Sequence, residues 1–419
     1  MPGTQHEAKQ QAPAHVSFAA LRHRGFRTYF LVSALAMMAD SIEHVISYWM
    51  MFQKFHSQTL GGFAVVSHWV PFLLFSVYAG ALADRFDTRR IIQVGMLCFI
   101  GASLGWGYFF FTDTLEMWHA MALLVIHGFA GVLWGPPSQL FVQDIVAPAQ
   151  LASAVRLNAT ARWLGLLMGP AIGSVIMLAF GATAGIFVNA LFYLPLVLWL
   201  WKAPYGNRGR SPIKQRAVRG FAEIWATMRA IAGNRTIVSM TLLAGGASLF
   251  VGNAYQAQMP EFAQDLGHGN AGVGYGVLLG ADAAGALLAG FVLESRGFLQ
   301  PRPRTAFILA MLWCCAIGAF AAATSYTVAL SLLFVAGFLQ LAFAAMGQAL
   351  VQIHAPAEIR GRVIGLYNMS SLGLRAFSGV TVGIVGSLIG VHWSLALSAM
   401  ALLAVTAGLL AFTAGAPRR

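Results

Sequence analysis

Twelve long apolar runs follow one another along this chain, each of roughly the ~20 residues a helix needs to cross the hydrocarbon of a bilayer. They fall near 28–52, 61–82, 91–112, 117–141, 153–179, 183–201, 236–260, 271–293, 305–324, 327–351, 361–388 and 391–412. Backbone polar groups in lipid must be satisfied internally, which leaves helices or closed barrels. The runs are continuous, without the alternation of barrel strands, so the expected class is an all-α integral membrane protein. Composition agrees: 58% of the 419 residues are hydrophobic and 10% charged, where a soluble chain carries about 25% charged residues. The net charge of +12 would suggest nucleic acid in a soluble protein, so the placement of the charges matters.

With both termini on the cytoplasmic side, 23 of the 26 lysines and arginines fall on inner segments or loops, the asymmetry expected of membrane topology. The positive charge is therefore a topology signal, and no nucleic-acid partner is expected. Only Lys54 falls in an outer loop, and Arg162 and Arg375 fall within spans. The expected organisation is a cytoplasmic tail (1–27), a first six-helix half (28–201), a basic cytoplasmic linker (202–235) on the anionic inner leaflet, a second half (236–412) and a short tail (413–419). The N-terminal residues lack the central apolar run and cleavage site of a secretory signal. Cys98, Cys314 and Cys315 lie inside apolar runs, with neither disulfide-framework nor metal-finger spacing.

The halves repeat. Gly62, Gly80 and Asp84 recur as Gly272, Gly290 and Glu294 at an offset of 210; Gln139 and Gln143 recur as Gln348 and Gln352 at an offset of 209. An Ala-Pro-Ala turn follows each glutamine pair, at Ala147 and at Ala355. Parallel repeats about an axis along the membrane normal place a substrate site between the halves, near the midplane.

The loop Gly80-Ala81-Leu82-Ala83-Asp84-Arg85-Phe86-Asp87-Thr88-Arg89-Arg90 resembles the G-x-L-A-D-R-x-G-R-R signature of the major facilitator superfamily. Asp87, where the general signature has Gly, is similar to the enterobactin-exporter and macrolide-efflux branch. Gly165-Leu166-Leu167-Met168-Gly169-Pro170-Ala171-Ile172-Gly173 resembles the antiporter motif G-x-x-x-G-P-x-x-G of superfamily exporters. Small residues four apart also make a flat face for close helix packing, and Pro170 frees a backbone carbonyl. The resemblance implies export by antiport, with Gly80, Asp84, Arg85, Arg89, Arg90, Gly165, Gly169 and Pro170 in gating. Asp84 is suited to cap a helix N-terminus and pair with an arginine across the half-interface. Many proton-coupled members carry an arginine in the fourth span; here Leu124 stands in its place, and His127-Gly128 replaces the Gln-Gly pair that follows it. Coupling through that arginine is not available.

Ionisable residues within the bilayer are costly and mark function. Asp40 lies one helical turn from both Glu43 and His44, so one face of the first span carries two carboxylates and an imidazole. That crowding suits a proton carrier, with Asp40 foremost, Glu43 second, and His44 sharing the proton or orienting a carboxylate. Arg162 and Arg375 are suited to an anionic group or to serve as counter-charges. Tyr48, Asn253, Tyr255, Gln256 and Asp282 complete the expected substrate-binding set. His119 and His127, eight apart, share a face with no acidic partner evident in sequence.

These readings predict a secondary transporter, a monomer in the inner membrane in contact with its lipids. It exports a small amphipathic organic solute, siderophore or drug-like, by alternating access with proton antiport, needing no cofactor beyond the proton gradient and no resident metal. The alternative is a divalent-metal exporter using Asp40 and His44, a spacing that resembles the ferroportin branch; no second ligand cluster is evident, and the seventh span has no His or Cys. A polytopic enzyme is not expected, because no nucleophile elbow, metal cluster or phosphate loop is present at meaningful spacing. A receptor or scaffold would not require two six-helix halves.

Overall fold

The computed structural model describes residues 17–55, 58–206, 221–252, 254–268, 273–296, 301–378, 381–382 and 385–414, all helical or in the turns between helices. Long helices are the only way for these apolar stretches to satisfy their own backbones in lipid. In the first half they are α1 (Arg24–Phe55), α2 (Gln58–Arg85), α3 (Thr88–Phe111), α4 (Met117–Ile145) and α5 (Leu151–Lys202). A short helix, α6 (Phe221–Ile231), lies between the halves. The second half contains α7 (Arg235–Phe250), α8 (Ala254–Ala257), α9 (Met259–Asp265), α10 (Val273–Arg296), α11 (Pro303–Ala321) and α12 (Tyr326–His354). It closes with α13 (Arg360–Asn368), α14 (Arg375–Ser378), α15 (Val385–Ile389) and α16 (Val391–Ala414). Among the described residues, nine helices are long and apolar enough to cross a membrane.

The other expected spans are present in altered form. The fifth and sixth form the two limbs of α5, which turns at Gly181 (φ 78°, ψ 164°), a left-handed conformation that a side chain would strain. The seventh, expected unbroken over 236–260, ends at Phe250; Gly252 takes φ 50° and the path continues in the short helices α8 and α9. The eleventh, expected unbroken over 361–388, is interrupted by a π-helical turn, Met369–Gly373, just before Arg375. Polar residues are scattered through both stretches, and their pattern does not reveal where the helix itself breaks.

Each half packs around its own apolar interior. Trp313, Phe307 and Phe320 are buried in the second half. Tyr29, Phe99 and Phe141 are buried in one cluster of the first half and Trp106 in another. α1 lies along the first limb of α5, and the glycine stripe explains how closely: side chains at Gly165 and Gly169 would collide with Met37, Met38 and Ser41. The stripe therefore sets the position of the α1 face that carries Asp40, Glu43 and His44. Pro170 lies in the same limb. Between the halves, α2 packs on α13 and α10 packs on α5, the pseudo-symmetric seams expected from the repeat. α6 adds contacts to α2 and α13.

Candidate functional site

Two cavities meet between the halves. The larger, about 420 Å³, is walled chiefly by α1 to α5 and lined by Asp40, His44, Tyr48 and His68 with the aromatic rings of Trp69, Phe72, Phe99 and Trp134. The smaller, about 160 Å³, lies toward the second half and is lined by Gln256, Trp313, Gln340 and Tyr367. Arg162 and Arg375 line both. Apolar walls with a few convergent polar groups suit a small organic ligand.

The acidic face of α1 is organised by a residue from another helix. His127, buried on α4, places Nδ1 2.8 Å from Glu43 Oε1 in an aligned hydrogen bond. Its Nε2 lies 2.9 Å from Asp40 Oδ1, within ion-pair distance but with no aligned hydrogen bond among the described residues. A neutral imidazole donates from only one nitrogen, so with Nδ1 donating to Glu43, two acceptors face each other at Nε2 and Oδ1. A proton or another cation between them relieves that repulsion. Ser103 donates to the second oxygen of Glu43 and is in turn met by Asn189 at 3.3 Å. Glu43 is thus sealed within the helices, while Asp40 opens on the larger cavity.

This geometry revises two expectations. His127 does have acidic partners, because packing of α4 beside α1 brings them from 84 and 87 residues away in sequence; His119 is elsewhere, accepting at Nδ1 from the Glu116 backbone N–H at 3.1 Å. Among the described residues the hydrogen bond of His44 goes to the Asp40 backbone carbonyl, 2.6 Å from its Nδ1, and not to a carboxylate. Around it gather Tyr48, His68 and His127, with ring centroids at 5.2, 5.0 and 4.6 Å. The cluster of His44, His68 and His127 has no counterpart in the sequence reading. His44 and His68 each stand alone in an apolar run and His127 shares its run only with His119, so no ligand spacing joins the three in sequence.

The two intramembrane arginines do not neutralise the acidic cluster. Among the described residues neither forms an ion pair within 4.0 Å, and Arg375 Nε is buried without a hydrogen-bond partner. Arg375 lies over the Trp69 ring, 5.1 Å from its centroid, a cation–π contact across the two halves. Asp282 and Tyr255 do not line either cavity: Tyr255 Oη and Gln256 Nε2 each donate to Asp282 Oδ2 at 3.2 Å, leaving Oδ1 buried without a partner. Of that group only Gln256 reaches the smaller cavity. Asn253 lies outside the described residues.

At the C-terminal end of α2 the two halves are tied together. Asp84 accepts the backbone N–H of Gly361 at 2.6 Å and of Arg362 at 2.9 Å, capping α13, and lies 3.7 Å from Arg362 Nε. Side chains at Gly80 or Gly361 would strike the opposing backbone, so the two glycines permit the approach. Arg362 Nη1 also donates to Glu223 of α6 at 2.9 Å, which binds the linker helix to the same seam. Gln139 donates to Asn368 at 2.9 Å, and Gln143 to Gln352 at 3.2 Å. Arg85, Arg89 and Arg90 form no such cross-half pair among the contacts described. Arg85 lies over Phe86, Arg90 over Trp201, and Arg89 grips Asp87 and donates to the carbonyl of Ala203 at 2.5 Å.

A family model described as "Transmembrane secretion effector" matches residues 15–416. The staphyloferrin A transporter of Staphylococcus aureus is 22% identical over 281 residues, 63% of this chain and 66% of that protein. The multidrug resistance protein MdtH of Klebsiella pneumoniae is 25% identical over 144 residues, 33% of this chain and 34% of that protein. The chain thus spans about two thirds of the first of these relatives and about one third of the second. Among solved structures, the human organic anion transporter MFSD10 superposes with a TM-score of 0.73 at 14% identity, over 92% of this chain and 99% of that one. The fucose:proton symporter of Escherichia coli superposes with a TM-score of 0.72 at 11% identity, over 95% and 99%.

Proposed function

The chain belongs to the transmembrane secretion effector family of the major facilitator superfamily, and on that premise we propose that it exports a small amphipathic organic anion by alternating access, in exchange for protons. It is a secondary transporter of a small-molecule substrate, a multi-pass membrane protein and not an enzyme. In the proposed cycle the halves 28–201 and 236–412 rock as units about the cavities, with both termini cytoplasmic.

The observation that carries this reading is the division of charge around one cavity system. Two arginines without ion-pair partners among the described residues lie where the halves meet, and a carboxylate–imidazole–carboxylate set occupies the wall of the first half. Arg162 and Arg375 hold an anionic group such as a carboxylate or catecholate, which suits the guanidinium fork, while Tyr48, Gln256 and the aromatic wall hold the apolar body. Asp40 takes a proton from the cavity; His127 and Glu43 stabilise it there. An arriving anion competes with Asp40 for the field of the arginines, so substrate binding and protonation are linked. Asp84 and Glu294 hold the inner gate. The names of the staphyloferrin A and multidrug relatives support solute export.

The test is uptake into proteoliposomes of paired solutes, a polycarboxylate or catecholate siderophore and its neutral ester, under an imposed pH gradient. Gradient-driven movement of the anionic member, lost in Arg162→Met, supports the proposal. Equal movement of both members, or none of either, contradicts it.

A further inference from the structure

His44, His68 and His127 come from α1, α2 and α4, and each brings one ring nitrogen to a group in which those nitrogens lie within 4.8 Å of one another. We propose that these three imidazoles, with Asp40, form a binding site for a divalent transition-metal ion of the Zn²⁺ or Co²⁺ class in the wall of the larger cavity. The site does not depend on the identity of the exported solute.

Several independent features converge on it. His127 Nε2 and His68 Nδ1 are both buried and lack hydrogen-bond partners among the described residues, although a buried ring nitrogen is ordinarily satisfied. The 2.9 Å between His127 Nε2 and Asp40 Oδ1 is too close for two bare acceptors. A tetrahedral ion about 2.0–2.1 Å from each ligand sets neighbouring ligand atoms about 3.3 Å apart, so this pair needs to open by only about 0.4 Å to hold one. To complete a tetrahedron the three imidazole nitrogens need to close by about 1.5 Å from their present spread, a movement within the range of histidine side-chain rotation.

The surrounding groups have the form of a metal site's outer shell. Glu43 accepts from His127 Nδ1 and the Asp40 backbone carbonyl meets His44 Nδ1. Each such contact engages Nδ1 and leaves Nε2 as the nitrogen available to a metal, the pattern that orients metal-bound histidines. Ser103 fixes Glu43 in turn. Three imidazoles and a single carboxylate favour Zn²⁺, Co²⁺, Ni²⁺ or Cu²⁺ over Mg²⁺ and Ca²⁺, which require oxygen-rich shells. Asp40 and Glu43 supply two negative charges against the dication. The pair of ligands that the alternative sequence reading placed at Asp40 and His44 thus gains two further histidines through packing.

The probe is Co²⁺ added to purified, chelator-stripped full-length protein in detergent, followed by its visible d–d absorption, with Zn²⁺ as competitor. The expected result is saturable binding of one Co²⁺ per chain with the intense spectrum of four-coordinate cobalt, displaced by Zn²⁺ and unaffected by Mg²⁺. Binding is expected to be lost in His68→Ala and weakened roughly 10- to 100-fold in Glu43→Gln, while His119→Ala, outside the cluster, binds as wild type. If a cluster variant does not fold, X-ray absorption of the wild-type Zn²⁺ complex decides, with three imidazole ligands expected. No saturable Co²⁺ binding, undiminished binding in folded His68→Ala, or fewer than two imidazoles on Zn²⁺ would overturn the proposal. Inhibition of transport by the same ion follows only if Asp40 and His127 carry protons as proposed above; the binding measurement stands apart from it.

Discussion

Arg156 at the start of α5 holds Glu294 at the end of α10 at 2.8 Å, across the line between the two halves. Its repeat-related counterpart is Asp84 at the end of α2 with Arg362 at the start of α13, joined chiefly through backbone N–H groups. The two latches are not equal. Glu294 is fully buried, bonded by Arg156 and by Ser153, whereas Asp84 trades a direct ion pair for helix capping and passes Arg362 on to Glu223 of the linker helix.

Removing one member of the buried pair strands a charge, which costs about 3–5 kcal/mol. Glu294→Ala is therefore expected to lower the thermal unfolding midpoint sharply, and Arg156→Met to do the same. The double variant Arg156→Met/Glu294→Met is expected to be more stable than either single one, as measured by unfolding in detergent.

At the other latch, Asp84→Ala removes two charge-assisted hydrogen bonds worth about 1.5–3 kcal/mol each. The structure should then favour opening toward the cytoplasm. Cysteines introduced along the inner ends of α2 and α13 are expected to react at least about 10-fold faster with a membrane-impermeant thiol reagent added to that side. Unchanged labelling would separate Asp84 from the gate.

Gly169 faces Ser41 where α1 crosses α5, and a side chain there would collide with it. Gly169→Val is expected to cost about 1–3 kcal/mol by overpacking and to displace the α1 face that carries Asp40. Loss of transport with the protein still folded, by unfolding midpoint and solute binding together, is the expected outcome.

Asp87 caps α3 by accepting the Arg89 N–H at 2.9 Å. Burial alone would raise its carboxyl, but the hydrogen bonds from Arg89 outweigh burial and hold it below the usual carboxylate value. A carboxyl depressed by folding stabilises the protein above its unfolded value, about 3.9, and loses that contribution as pH falls through the lower folded value. The difference in unfolding midpoint between wild type and Asp87→Asn is expected to be constant from neutral pH to about pH 5 and to close below about pH 4.

Much of the fold was legible in the sequence, because a bilayer forces each apolar run into a helix. The repeat was legible too: Asp84 and Glu294, matched at an offset of 210, each lie at the C-terminal end of a helix that meets the other half. Asp40 and Glu43 could be picked out because two carboxylates on one buried turn are conspicuous. His68 and His127 could not, because their meaning comes only from packing of α2 and α4 beside α1. Asp282 looked like a cavity residue because charge in a span is costly; Tyr255 and Gln256 meet that cost locally. The breaks at Gly252 and at Met369–Gly373 fall in mixed stretches, where Asn253, Gln256 and Asn368, Ser370, Ser371 interrupt the apolar residues without marking where the helix itself breaks.

The central claim is that protons are exchanged through Asp40, with His127 and Glu43 behind it. The direct measurement is solute movement in proteoliposomes under an imposed pH gradient, comparing wild type with Asp40→Asn and following solute exchange without a gradient as a control for folding. The account predicts that wild type concentrates the solute until a protonophore collapses the gradient, while Asp40→Asn still binds and exchanges solute but no longer responds to pH. Full gradient-driven accumulation by Asp40→Asn would contradict it.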